Sequence, residues 1–271
     1  MTSAIRLVLG FSALAMAVGS AACSSSGSSD AAAGSGPTIV PGGGSSSGGA
    51  GGTAGGTGGS GGAPSAAGVP LTPTMGWVDG ASNTLGIQGA FFTYADTVSA
   101  MGMTSDTMSS AKICMKGTAA KVIMPCTIVA PAVDRYGTYW GAAIGFNLNQ
   151  PNVTDPTTMM MMGGTPVPYN ASALTGFSFD VDGATIPLPS QFRFNIESAT
   201  TQFCTPTAKG VKPGTNTYSF SDVESMCYAT PPGPTATTIQ SAVVKISWQV
   251  VTNTTATVPF DFCISNVRAL Q

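Results

Sequence analysis

The chain contains no histidine, and Lys, Arg, Asp and Glu together make up only 8% of its 271 residues, against about 25% in an ordinary globular chain. Without histidine there is no His-based general base, no Ser-His-Asp or Cys-His nucleophile and no His-containing zinc site. Ten basic against twelve acidic residues give a formal net charge of −2, with none of the clustered Lys and Arg that nucleic acid requires. Glutamate is scarcer still, present only as Glu197 and Glu224. A glycosidase needs two carboxylates flanking one bond, and no motif pairs either Glu with an Asp. A non-enzyme is expected. The C-x-x-C spacing is also missing, which argues against Cys-based zinc and thioredoxin-like chemistry.

The one long apolar run lies at the N-terminus. Residues 1–22 carry Arg6, an apolar stretch from Leu7 to Val18 and then Gly19-Ser20-Ala21-Ala22. The stretch is too short to span a bilayer and reads as an export signal. Cys23 follows directly, ahead of Ser24-Ser25-Ser26-Gly27, a pattern that resembles the bacterial lipoprotein signal, whose cysteine is lipidated. Ser20 stands where that signal usually has Leu, and the alternative is plain secretion after A-x-A-like cleavage. The expected location is therefore the outer membrane or cell surface, with the membrane reached through the lipid alone. Residues 24–69 are almost wholly Gly, Ser, Ala, Thr and Pro, with Asp30 the only charge. Such a segment cannot bury enough surface to offset its ordering entropy. It is expected to be a disordered tether of about 40 Å root-mean-square span. The organisation expected is 1–22 signal, 23–71 lipid-attachment cysteine and tether, and 72–271 folded domain.

In 72–271 aromatics, β-branched residues and charges appear together, while sustained helical spacing is missing. Alternation of period two dominates. Phe177, Phe179 and Val181 oppose Ser178, Asp180 and Asp182; Phe192, Phe194 and Ile196 oppose Arg193 and Asn195. Val244, Ile246, Trp248 and Val250 oppose Lys245, Ser247 and Gln249, and Phe260, Phe262 and Ile264 oppose Asp261, Cys263 and Ser265. Further strands are expected in 89–96, 118–124, 139–149 and 216–222. About eight strands with one apolar face each predict an all-β, two-sheet sandwich of jelly-roll type.

The order "WVDG…GIQGAFFTYAD", "YWGAAIGFNLN", "GFSFDVDG…FRFNIE" and "VVKISWQVVTN…PFDFCISNVRAL" resembles the galactose-binding-like jelly roll of many carbohydrate-binding modules. The resemblance covers most of 76–270. It implies the jelly-roll fold and a surface-tethered, non-catalytic domain whose partner is a polysaccharide or other glycan. Ser265 stands where such modules offer an Asp to a structural calcium, so calcium is not expected, although Asp261 lies on the same polar face. As a whole the chain is also similar to Gly/Ser-tethered bacterial lipoproteins. The alternative is a structural or protein-interaction lipoprotein of the cell envelope with no small-molecule ligand.

Glycan binding needs aromatic platforms beside amide, carboxylate or guanidinium groups. The candidates are Tyr94, Asp96, Tyr136, Tyr139, Arg193, Asn195 and Gln249, with Lys245 on the same face; Trp140 and Trp248 fall at core positions of the alternation. Met159 to Met162, with Met101 and Met103, could offer thioethers to Cu(I), but methionine in a Pro/Gly/Thr-rich loop reads as adaptable filler. No metal or other cofactor is expected. Of the cysteines beyond Cys23, the favoured disulfides are Cys114–Cys126 and Cys204–Cys227. That pairing leaves Cys263 as a half-buried thiol.

Overall fold

The computed structural model describes residues 68–108, 112–122, 139–154, 157 and 161–271. Among these the strands are β1 (Gly68–Pro70), β2 (Trp77–Val78), β3 (Gly89–Ala95), β4 (Thr104–Asp106), β5 (Lys112–Ala119), β6 (Ala142–Asn147), β7 (Asn152–Thr154) and β8 (Met161–Gly163). They continue with β9 (Gly176–Thr185), β10 (Phe192–Glu197), β11 (Gln202–Cys204), β12 (Gly214–Ser219), β13 (Glu224–Ser225), β14 (Lys245–Val250) and β15 (Val258–Leu270). Helical structure among the described residues is confined to 3-10 turns at 80–82, 189–191, 207–209 and 236–242.

Two antiparallel sheets form a β-sandwich. The six-stranded sheet runs β12-β9-β15-β5-β4, with β1 also paired to β15, and the seven-stranded sheet runs β13-β11-β10-β14-β6-β3-β2. The eight long strands β3, β5, β6, β9, β10, β12, β14 and β15 alternate strictly between the sheets along the chain. No long strand therefore pairs with the next, which is jelly-roll winding.

Alternation explains the core. Phe177, Phe179, Phe260 and Phe262 from one sheet and Phe146, Phe192, Phe194 and Trp248 from the other are fully buried. Their rings meet across the interface: Phe179 lies edge-on to Trp248 at 5.2 Å, Phe192 tilts against Phe262 at 4.6 Å, and Tyr218 stacks on Phe194 at 5.4 Å. Each aromatic pair adds to the burial of 150–250 Å² per ring.

Three expectations are corrected. The sandwich already includes Gly68–Leu71, ahead of the expected Thr72, because β1 pairs with Arg268–Leu270 on β15 and Leu71 is buried. The strand expected over 118–124 lies earlier, at Lys112–Ala119; beyond it Lys121 makes only an isolated bridge to Asn253. That displacement hid a disulfide. Cys114 and Cys263 face each other in register on β5 and β15 and are bonded, so Cys263 is not a free thiol and Cys114 does not pair with Cys126. The second disulfide joins Cys204 to Cys227. Cys23 and Cys126 lie outside the described residues.

Candidate functional site

The outer face of the seven-stranded sheet is assembled from residues that alternate with the core. Register aligns Tyr94, Ala143, Gln249 and Arg193 in one row across β3, β6, β14 and β10. The next row holds Phe92, Gly145, Ser247 and Asn195, and a third continues Asn147, Lys245, Glu197 and Gln202. Small residues on β6 make room for large ones from β3. A Cβ at Gly145 would stand 2.6 Å from Cζ of Phe92, so that ring lies over the glycine. Tyr94 reaches across Ala143 far enough for its hydroxyl to sit 3.5 Å from Glu197 Oε1 on β10.

Phe92, Tyr94 and Trp140 form a contiguous aromatic surface, with centroids 5.5 Å apart between Phe92 and Tyr94 and 5.3 Å between Tyr94 and Trp140. The Lys245 ammonium sits 4.5 Å from the Tyr94 ring and pairs with Glu197 Oε2 at 3.1 Å. Ser247 Oγ donates to Glu197 Oε1 at 2.8 Å, and Asn195 Nδ2 donates to Ser247 Oγ at 3.0 Å and Gln249 Oε1 at 3.2 Å. Gln249 Nε2 in turn donates to the Trp140 carbonyl at 3.1 Å. This network fixes the rotamers of the polar groups beside the rings.

Two buried polar atoms on the face have no partner: Nε of Arg193 and Oδ1 of Asn195. Arg193 is half-buried, and its guanidinium carbon lies 6.0 Å from the ring of the exposed Tyr228. Tyr228 follows Cys227, which the disulfide ties to Cys204 on β11, next to Asn195 in register. Burial pushes the Tyr94 phenol above its ordinary value, and the Glu197 carboxylate adds to the shift. Burial pulls Lys245 down, but Tyr94 and Glu197 together outweigh it and the net shift is upward. Burial lowers Arg193, partly offset by Tyr228, although a guanidinium stays charged throughout.

Of the residues expected from sequence, Tyr94, Arg193, Asn195 and Gln249 come together here, as does Lys245. Asp96 does not reach the face. It is buried after β3, and its carboxylate accepts from the Val98, Ser99 and Gly141 amides and from Ser99 Oγ, which holds a turn. Tyr139 is half-buried, and its carbonyl accepts from Thr252 Oγ1. Tyr136 lies outside the described residues. Trp248 is core as expected, but Trp140 is half-buried on the face. Gly141, at φ +106 and with Val250 O only 1.9 Å from where a Cβ would stand, breaks the alternation between Trp140 and β6. Phe92, Glu197, Ser247, Gln202 and Tyr228 were missed.

No protein-family model and no curated protein matches the chain. Among solved structures, it is similar to a family 11 carbohydrate-binding module from Clostridium thermocellum in complex with a β-1,3-1,4-mixed-linked tetrasaccharide. Identity is 12%, the TM-score is 0.35, and the match covers 66% of this chain and 88% of that one. The solution structure of CtCBM11 matches at 11% identity and TM-score 0.27, over 66% of this chain and 94% of the other.

Proposed function

We propose that the protein is a non-catalytic binding domain whose outer seven-stranded face takes a carbohydrate. The observation that supports this best is the contiguous Phe92–Tyr94–Trp140 surface beside amide and charged groups held by one hydrogen-bond network. Aromatic faces suit the C–H faces of sugar rings, and amides, carboxylates and guanidinium groups suit their hydroxyls. The same face argues against hydrolysis: Glu197 is held by Lys245, Ser247 and Tyr94. Among the described residues no group of three or more His, Cys, Asp or Glu is placed to hold a metal.

The domain is exported and held at the cell surface through lipid on Cys23 and the Gly/Ser-rich tether. Two disulfides among the described residues agree with an oxidising compartment. A glycan array probed with the full chain tests the binding reading. At least one polysaccharide should be retained by the wild type and lost by Tyr94→Ala/Trp140→Ala. Retention of no glycan would overturn it and leave the structural envelope protein as the alternative. Palmitate labelling that survives Cys23→Ala would refute the anchor.

A further inference from the structure

The cations of the described residues divide by what they face. Lys112, Lys116, Lys209 and Lys245 each hold a carboxylate, and Arg268 donates to the Gly68 carbonyl at 3.0 Å. Lys121 and Lys212 are exposed to water. Arg193 alone is sheltered by protein yet makes no hydrogen bond or ion pair with any described residue, and its Nε is wholly buried. A buried N–H without an acceptor is costly, and such a group in a folded protein calls for an explanation; the rest of this half-buried guanidinium stays open to an incoming acceptor.

The surroundings of Arg193 indicate what is missing. Gln249 lies beside it in register, and Asn195, two residues along β10, leaves its Oδ1 unpartnered. Tyr228, held by the Cys204–Cys227 disulfide, covers one side of the guanidinium at 6.0 Å. The nearest acid on this strand, Glu197, is taken up by Lys245 and Ser247. Glu224 on β13 continues the Asn195 row beyond Cys204, and among the described residues no ion pair joins any carboxylate to Arg193. The guanidinium fork matches a planar carboxylate with two parallel N–H···O bonds, a geometry the ammonium of lysine lacks.

We infer that Arg193 is the anion-recognition point of this face and that the bound carbohydrate is an acidic polysaccharide, its uronate carboxylate seated on the Arg193 guanidinium between Gln249 and Tyr228. The inference rests on the carbohydrate-binding reading and names its ligand class. The neighbouring Tyr94 and Trp140 rings carry the apolar faces of adjoining sugars.

The test uses the full chain and polygalacturonate and alginate, each in native and carboxyl-reduced form, with a sulfated neutral glucan as a third arm. Titration calorimetry should show affinity for a native polyuronate that falls about tenfold or more after carboxyl reduction, the size expected for loss of a charge-assisted pair. Arg193→Gln should cause a similar loss and abolish the difference between native and reduced polymer, and Arg193→Lys should recover only part of it. Carboxyl reduction changes the ligand and not the protein, so it decides the matter even where a variant folds poorly. Equal affinity for native and reduced polymers would overturn the acidic inference and leave carbohydrate binding standing. Binding only to the sulfated glucan would overturn the carboxylate assignment. Binding to none of these polymers, nor to any neutral polysaccharide, would overturn both readings.

Discussion

The two outer faces of the sandwich are built from the same alternation and have opposite chemistry. On the six-stranded sheet the polar residues pair with each other in full view of water. Lys116 meets Asp261 with side chains 68% and 33% exposed, Lys112 meets Asp182, and Asp180 accepts from Thr215 and Asn266. On the seven-stranded sheet the corresponding pair, Lys245–Glu197, is only 23% and 13% exposed, because aromatic rings and amides crowd over it. Solvated ion pairs contribute little and are the ordinary solvent side of a sandwich. A face that buries polar groups on its outside, and leaves a guanidinium unpartnered among them, is shaped toward something other than water.

The disulfides give the largest expected contrast. Cys114–Cys263 spans 149 residues and Cys204–Cys227 spans 23. Replacing each pair by serine should cost about 5 and about 3 kcal/mol respectively on the chain-entropy estimate, read from denaturant unfolding. The smaller loss should carry the larger functional effect, because only Cys204–Cys227 holds Tyr228 beside Arg193. Glycan affinity unchanged in the Cys204/Cys227 variant would remove that loop from the site.

Gly145→Val comes next. Its Cβ would displace the Phe92 ring, so a loss of about 1–3 kcal/mol is expected from overpacking, together with loss of glycan retention. For the ion pairs, Lys245→Met should cost about 2 kcal/mol by leaving Glu197 sheltered without its partner. Lys116→Ala on the opposite face should stay within about 0.5 kcal/mol. Equal effects would mean that the two faces are equally wet.

The smallest effect is a pH dependence. The Tyr94 phenol is raised above its ordinary 10.0, first by burial. A raised phenol favours the neutral folded form, so its contribution is complete below pH 10 and lost as pH climbs through the shifted value. The phenolate absorbance of wild type minus Tyr94→Phe should therefore titrate with a midpoint above 10. A midpoint at or below 10 would show that the ring is not sheltered.

Much of the sandwich was legible because strands with one buried face announce themselves. Phe192-Arg193-Phe194-Asn195-Ile196 fixes which side of β10 meets the core, and β14 repeats the pattern, which placed Arg193, Asn195, Lys245 and Gln249 together. What failed were features that period two cannot carry. Phe91 and Phe92 are adjacent aromatics, and only packing decides that Phe91 stacks on Phe146 in the core while Phe92 lies over Gly145. Gly141 breaks the alternation before β6, so Trp140 was assigned to the wrong side. Tyr228 sits in a Pro-rich loop and reaches Arg193 only through a disulfide, and Cys114–Cys263 follows from a register between strands far apart in the chain. Asp96 looked like a ligand because its sequence neighbours are aromatic, yet its oxygens are consumed by local amides that no pattern reveals.

Affinity electrophoresis in gels carrying single polysaccharides compares the two faces most directly. Wild type and the opposite-face variant Lys116→Ala/Asp261→Ala should be retarded alike in at least one gel, and Tyr94→Ala/Trp140→Ala should run free in it. Equal retardation of all three proteins, or retardation in no gel, would contradict the assignment of binding to the seven-stranded face.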